Sequence, residues 1–123
     1  MGIEFDNGLT IAFQVKDMKK TAAWYERVLG YKTLFAVDEI GWCEVATNIP
    51  GVSFGFSQVE SPKAGGPVPT IGVKNLDKVR AAMEKQGVRF DGQTREYPGM
   101  VRLATFFDPD GNAVMLSQTL MQH

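Results

Sequence analysis

The sequence contains one cysteine, Cys43, and one histidine, His123. A lone cysteine excludes an internal disulfide, and a reducing cytoplasm is the expected compartment. A lone histidine at the last position excludes a Ser-His-Asp or Cys-His arrangement built into a fold. It reads instead as part of a fraying tail. No run approaches the roughly 20 apolar residues of a membrane span, so no membrane partner is expected. The first residues, Met1-Gly2-Ile3-Glu4-Phe5-Asp6, are acidic and do not read as a signal peptide. There is no basic tract: 13 Lys and Arg stand against 14 Asp and Glu, for a net charge of −1. A nucleic-acid partner held through phosphate contacts is therefore not expected. Neither G-x-G-x-x-G nor G-x-x-x-x-G-K occurs, and Gly65-Gly66 reads as flexible linker.

What is present is ordinary globular material. The chain has 123 residues, of which 44% are hydrophobic and 22% charged. That suffices for one core without metal or disulfide staples.

An internal repeat organises the chain. Val15-Lys16-Asp17-Met18-Lys19-Lys20 echoes Val73-Lys74-Asn75-Leu76-Asp77-Lys78, 58 residues on. Gly51-Val52-Ser53-Phe54-Gly55-Phe56-Ser57-Gln58 echoes Gly111-Asn112-Ala113-Val114-Met115-Leu116-Ser117-Gln118, 60 residues on. Two segments repeating in the same order at nearly one distance point to two similar halves. Each half opens on a strand. Thr10-Ile11-Ala12-Phe13-Gln14-Val15 alternates, with Ile11, Phe13 and Val15 on one face. Val68-Pro69-Thr70-Ile71-Gly72-Val73 alternates less cleanly, with Pro69 placed for a strand start or edge. A helix follows each strand. Asp17 and Asn75 are its N-caps, and Gly30 and Gly87 stand where a left-handed cap ends it. Met18, Ala22, Tyr25 and Leu29 share one helical face, as do Leu76, Val79 and Met83. Trp24 and Tyr25 are adjacent and cannot share one direction, so one is expected in the core.

Strand-like runs follow near residues 31–37, 42–47 and 52–58, then near 88–94, 100–107 and 112–118. Asp108-Pro109-Asp110-Gly111 is a strong turn. The expected fold class is α+β, with two βαβββ modules in one domain over 1–123. Module one covers about 8–60, a linker 61–67, and module two about 68–119. Halves of this size are expected to pack together rather than fold alone.

The order βαβββ twice, with Val15-Lys16-Asp17-Met18, Trp24-Tyr25-Glu26-Arg27-Val28-Leu29-Gly30-Tyr31 and Phe106-Phe107-Asp108-Pro109-Asp110-Gly111-Asn112, resembles the vicinal oxygen chelate superfamily. This is the glyoxalase, bleomycin-resistance and dioxygenase group. The resemblance runs from about residue 8 to 119. It implies eight strands curled into a cup with the ligand inside, and often a homodimer. It leaves the function open, because the fold hosts unrelated chemistries.

The resemblance also implies which residues face the cup: Thr10, Ala12 and Gln14, Trp42 and Glu44, Ser53, Gly55 and Ser57, and Val68 and Thr70. Leu103, Thr105, Ala113, Met115 and Ser117 join them. A one-residue slip would invert any of these strands. The positions that bind metal in metal-dependent members fall on Thr10, Gly55, Val68 and Met115. None supplies an imidazole or carboxylate, so neither a metal nor another cofactor is expected.

The leading expectation is a metal-free protein binding a small apolar or aromatic molecule, as in drug sequestration. Thr10, Gln14, Trp42, Glu44, Ser57, Thr105 and Met115 are the expected ligand-binding residues. Trp42 can stack on a flat ligand or serve as a hairpin-edge or interface aromatic. Glu44, two residues on, shares its face. It is the sole catalytic candidate, as a general acid or base, and otherwise a solvated strand carboxylate. Cys43 points the other way, as a small buried hydrophobe. Arg95, Tyr97, Pro98 and Gly99 read as a loop that closes over the cup, or as an exposed loop with a salt-bridged arginine. Two rivals stand beside this reading. One is a lyase, isomerase or dioxygenase-type enzyme; the other is a non-catalytic dimeric regulatory module.

Overall fold

The computed structural model describes residues 6–121. The readings made on the first five residues and on His123 lie outside the described residues. Contacts divide the chain into two compact units between Lys63 and Ala64, inside the expected linker.

Unit one contains β1 (Leu9–Val15), α1 (Met18–Leu29), β2 (Thr33–Val37), a 3-10 turn (Asp38–Ile40), β3 (Trp42–Ala46) and β4 (Val52–Gln58). Its four strands form one sheet in the order β1-β4-β3-β2. β1 runs parallel to β4, and the other pairs are antiparallel. The alternation seen in the sequence becomes two faces. Phe13, Val15, Cys43, Val45, Phe54 and Phe56 are buried on the helix side. Tyr25 stacks on Phe56 with ring centroids 5.0 Å apart, and Phe54 meets Phe13 edge-on at 5.2 Å. Such pairs add to the large apolar area these rings remove from water. Tyr25 is the core member of the adjacent pair, while Trp24 is half-buried and edge-on to it.

Unit two follows the same order with one strand more, as β5 (Thr70–Gly72), α2 (Leu76–Lys85), β6 (Arg89–Phe90), β7 (Arg95–Tyr97), β8 (Val101–Phe107) and β9 (Ala113–Thr119). β5 is parallel to β9, β8 is antiparallel to β9, and both β6 and β7 pair with β8. Leu76, Met83, Ala104, Phe106, Val114 and Leu116 are its buried core. Arg102 bonds both oxygens of Asp77, at 2.8 and 3.0 Å, tying β8 to α2. Its Nε lies 3.2 Å from Glu96, too poorly aligned for a hydrogen bond.

The helix signals act as read. The Asp17 carboxylate accepts the Lys19 and Lys20 amides, and Asn75 accepts that of Lys78. Gly30 (φ 77°) and Gly87 (φ 82°) take left-handed conformations beyond their helices. In each case the next residue bonds back to a carbonyl of the last turn: Tyr31 to Tyr25 and Val88 to Met83.

Three expectations need correction. The run 88–94 is not one strand: pairing with β8 stops at Phe90 and resumes at Arg95, with the register displaced. Gly92, at φ 68°, marks the break. Residues 95–97 are not loop but β7. Tyr97-Pro98-Gly99-Met100 closes a hairpin, with Met100 N–H bonded to the Tyr97 carbonyl at 2.9 Å and Gly99 at φ 74°. Proline then glycine at the two central positions is the signature of a type II turn. Finally, β5 begins only at Thr70, so Val68 precedes the strand and is exposed. Pro69 still contributes, its carbonyl accepting Met115 N–H at 2.8 Å.

Candidate functional site

On unit one, the sheet face turned away from α1 carries the candidates from that half. The register sets Thr10 beside Ser53, Gln14 beside Ser57, Trp42 beside Ser57 and Glu44 beside Gly55. A chain of hydrogen bonds joins four of these residues. Trp42 Nε1 donates to Glu44 Oε1 at 3.0 Å, and Ser53 Oγ donates to Glu44 Oε2 at 2.9 Å. Ser53 thereby commits its only proton. The 3.1 Å contact between the Thr10 and Ser53 hydroxyls then has Thr10 as donor. Glu44 is half-buried, with both oxygens engaged. The six-membered ring of Trp42 lies over Gly55, where any side chain would project, and the Thr10 methyl borders the same space.

Gln14 shares the face, but its side-chain carbonyl accepts Lys63 N–H at 2.9 Å. Ser57 lies on the face and is half-buried. Cys43 points to the core side, 1% exposed, and burial pushes its thiol pKa up.

On unit two, a cavity of about 300 Å³ is lined by Asp91, Gln93, Arg95, Tyr97, Leu103, Ala104, Thr105 and Met115. The strands explain the grouping. Arg95 is registered with Leu103, and Thr105 with Met115, on the face opposite Ala104, Phe106 and Leu116. The register break after Phe90 carries Asp91 and Gln93 to the rim. Leu103 and Met115 give the cavity apolar walls. The side chains of Asp91, Gln93, Arg95, Tyr97 and Thr105 take no hydrogen bond or ion pair among the described residues. Sequence reasoning brought Thr105, Met115, Arg95 and Tyr97 forward but missed Asp91 and Gln93. Asp91-Gly92 is a turn-type pair that hints at a break, but the register shift that brings Asp91 and Gln93 to the rim is set by pairing with β8.

At Thr10, Gly55, Val68 and Met115, where the resemblance implied metal positions, the residues do not fit a divalent ion. Trp42 fills the space over Gly55, and the Thr10 hydroxyl is spent on Ser53. Val68 offers hydrocarbon and Met115 a soft thioether. Among the described residues, no three His, Cys, Asp or Glu side chains gather as a metal-binding group. No described helix is long and apolar enough to cross a membrane.

Each of the two α+β units has a strand, a helix and an open sheet in which the first strand pairs in parallel with the last. The model of the Glyoxalase/Bleomycin resistance protein/Dioxygenase superfamily matches residues 9–116, and the chain belongs to that superfamily. Solved structures agree on the fold. TnmS3, an antibiotic binding protein from Streptomyces sp. CB03234, is similar at TM-score 0.77 and 24% identity, over 97% of this chain and 98% of that one. A superfamily member from Sphaerobacter thermophilus DSM 20745 is similar at TM-score 0.77 and 19% identity, over 94% and 98%. A glyoxalase/bleomycin resistance protein from Catenulispora Acidiphila DSM 44928 is similar at TM-score 0.69 and 25% identity, over 91% and 97%. Comparison with curated proteins found no match.

Proposed function

We propose that this protein binds a small, largely apolar or aromatic molecule without a metal and holds it unchanged. The observation that carries this reading is the cavity of unit two. It joins apolar walls to a rim of polar side chains that have no hydrogen-bond partner of their own among the described residues. Polar groups left unmatched over an apolar surface are what a ligand site needs to orient its guest. The donor chemistry at Thr10, Gly55, Val68 and Met115 supports binding without a metal. The similarity to TnmS3, an antibiotic binding protein, supports sequestration as the form that binding takes. Glu44, with both oxygens engaged by Trp42 and Ser53, is better suited to positioning than to carrying a proton.

The protein works as a homodimer in the cytoplasm on this reading. β2 is an edge strand of its sheet, and Leu34 and Phe35 on it are exposed. An apolar, unpaired edge favours a partner strand or surface.

The test is native mass spectrometry of protein purified without chelator, followed by a ligand screen on Arg95→Ala and Thr105→Val. The expected result is no stoichiometric divalent ion, a dimer mass, and saturable binding without turnover that either variant weakens. A stoichiometric metal, product formation, or absence of any ligand across a broad aromatic and hydrophobic panel overturns the reading.

A further inference from the structure

Glu44 is the only charged residue in the four strands of unit one. It lies in contact with the Trp42 ring system, bonded to the indole nitrogen at 3.0 Å. The indole is fixed at two ends. Its nitrogen is held by Glu44, itself braced by Ser53 and Thr10, and its six-membered ring rests over Gly55. Trp42 is half-buried rather than fully enclosed. A ring with so little freedom left loses little entropy when something stacks on it.

We infer that Trp42 is a fixed stacking platform for a planar aromatic cation, with Glu44 as the residue that positions the ring and sets the preference for positive charge. The π face of an indole attracts a cation and the adjacent carboxylate adds to that attraction. A planar anion meets the carboxylate's repulsion instead. Gly55 is required because any side chain there would occupy the place of the indole. The inference stands on unit one alone and does not use the Arg95 cavity.

The experiment is calorimetric titration of the full chain with two probes of similar three-ring size, cationic 9-aminoacridine and anionic anthracene-9-carboxylate. Quenching of tryptophan emission is followed in parallel. The cation is expected to bind roughly fivefold more tightly, on the scale of a partly exposed cation–π contact. Trp42→Leu should abolish saturable binding of the cation. Glu44→Gln, which keeps the side-chain shape, should bring the two probes to near parity, with folding checked by circular dichroism. Lys85→Ala, at the exposed end of α2 and outside both candidate sites, should leave the cation's affinity unchanged. Equal or tighter binding of the anion by the native chain overturns the inference. So does undiminished binding in Trp42→Leu, or an unchanged preference in a folded Glu44→Gln.

Discussion

The side-chain carbonyl of Gln118 accepts the backbone N–H of Leu76, the first residue of α2, at 2.8 Å. Gln58 does the same for Met18 at the start of α1, at 3.0 Å. The Ser-Gln pair that repeats in the sequence at the end of each module is therefore not only an echo. In each module the last strand supplies an acceptor for an amide that the helix cannot satisfy internally. Asp17 and Asn75 satisfy others, so each helix start is capped from its own loop and from its own sheet.

Gln118→Ala is expected to cost about 1 kcal/mol, the usual value of one cap or hydrogen bond, and Gln58→Ala a similar amount. Gln118→Glu should retain most of the stability at neutral pH, since a carboxylate accepts the same bond and suits a helix N-terminus. Urea unfolding followed by circular dichroism measures both. A loss in the glutamate variant equal to that in the alanine variant contradicts the capping role.

The strand faces could be read from the sequence because Ile11, Phe13 and Val15 alternate with small or polar residues and Asp108-Pro109-Asp110-Gly111 punctuates the last hairpin. The Asp108 carboxylate there accepts the Asp110 and Asn112 amides. β7 was not recognised because its flank, Tyr97-Pro98-Gly99-Met100, looks the same in a loop as in a hairpin turn. What separates the two is pairing with β8, a contact between strands that no local pattern carries. That Trp42 and Glu44 share a face followed from their spacing. That Ser53 and Thr10 complete their network did not, since it depends on the parallel register of β1 with β4. The cavity rim depends in the same way on a register break, which is set by tertiary pairing rather than propensity.

Gly55→Ala places a methyl group where the Trp42 ring lies. The indole must move, and the loss is expected to be about 1–3 kcal/mol, as for other overpacked sites. Tryptophan emission should shift to the red as the ring leaves its place. Trp42→Ala should remove most of the cost of Gly55→Ala, so the double variant measures their coupling. Additive losses would mean that the two residues do not compete for space.

Asp77 sits below its usual pKa of 3.8, first because Arg102 donates hydrogen bonds to it. A depressed folded-state value means the carboxylate helps the fold once ionised. That contribution is complete above the unfolded pKa and is lost as pH falls through the folded one. The stability difference between the native chain and Arg102→Gln should therefore be constant above about pH 5 and narrow as pH drops below about 4. Because Asp77 is exposed, salt should reduce the difference as well. Chemical unfolding across pH at two ionic strengths tests this; a gap that widens in acid refutes it.

Cys43 combines 1% exposure with a thiol pKa raised mainly by burial, and the neighbouring Glu44 pushes it the same way. Lys19 opposes the shift without reversing it. Both accessibility and thiolate content are low, so the native protein should resist Ellman's reagent near neutral pH. Denaturant should release one thiol per chain, matching the single cysteine of the sequence. Fast stoichiometric reaction of the native chain would show that β3 opens readily.

Arg95 separates stability from binding. It lines the cavity with Tyr97 and Thr105, and its guanidinium makes no ion pair among the described residues. Its removal therefore breaks nothing internal, and Arg95→Ala should unfold within about 0.5 kcal/mol of the native chain. A ligand that uses the guanidinium should lose affinity by roughly tenfold or more, the usual scale of a hydrogen bond to a charged group. Arg95→Lys should recover only part of it where the contact is bidentate, because an ammonium cannot reproduce the planar fork. Thr105→Val keeps the shape and removes the hydroxyl, so its loss reports a hydrogen bond rather than a change in volume. Urea midpoints paired with calorimetric affinities for one ligand from the screen distinguish the outcomes. A cavity residue acting only through the fold would move both quantities together; Arg95 is expected to move affinity alone.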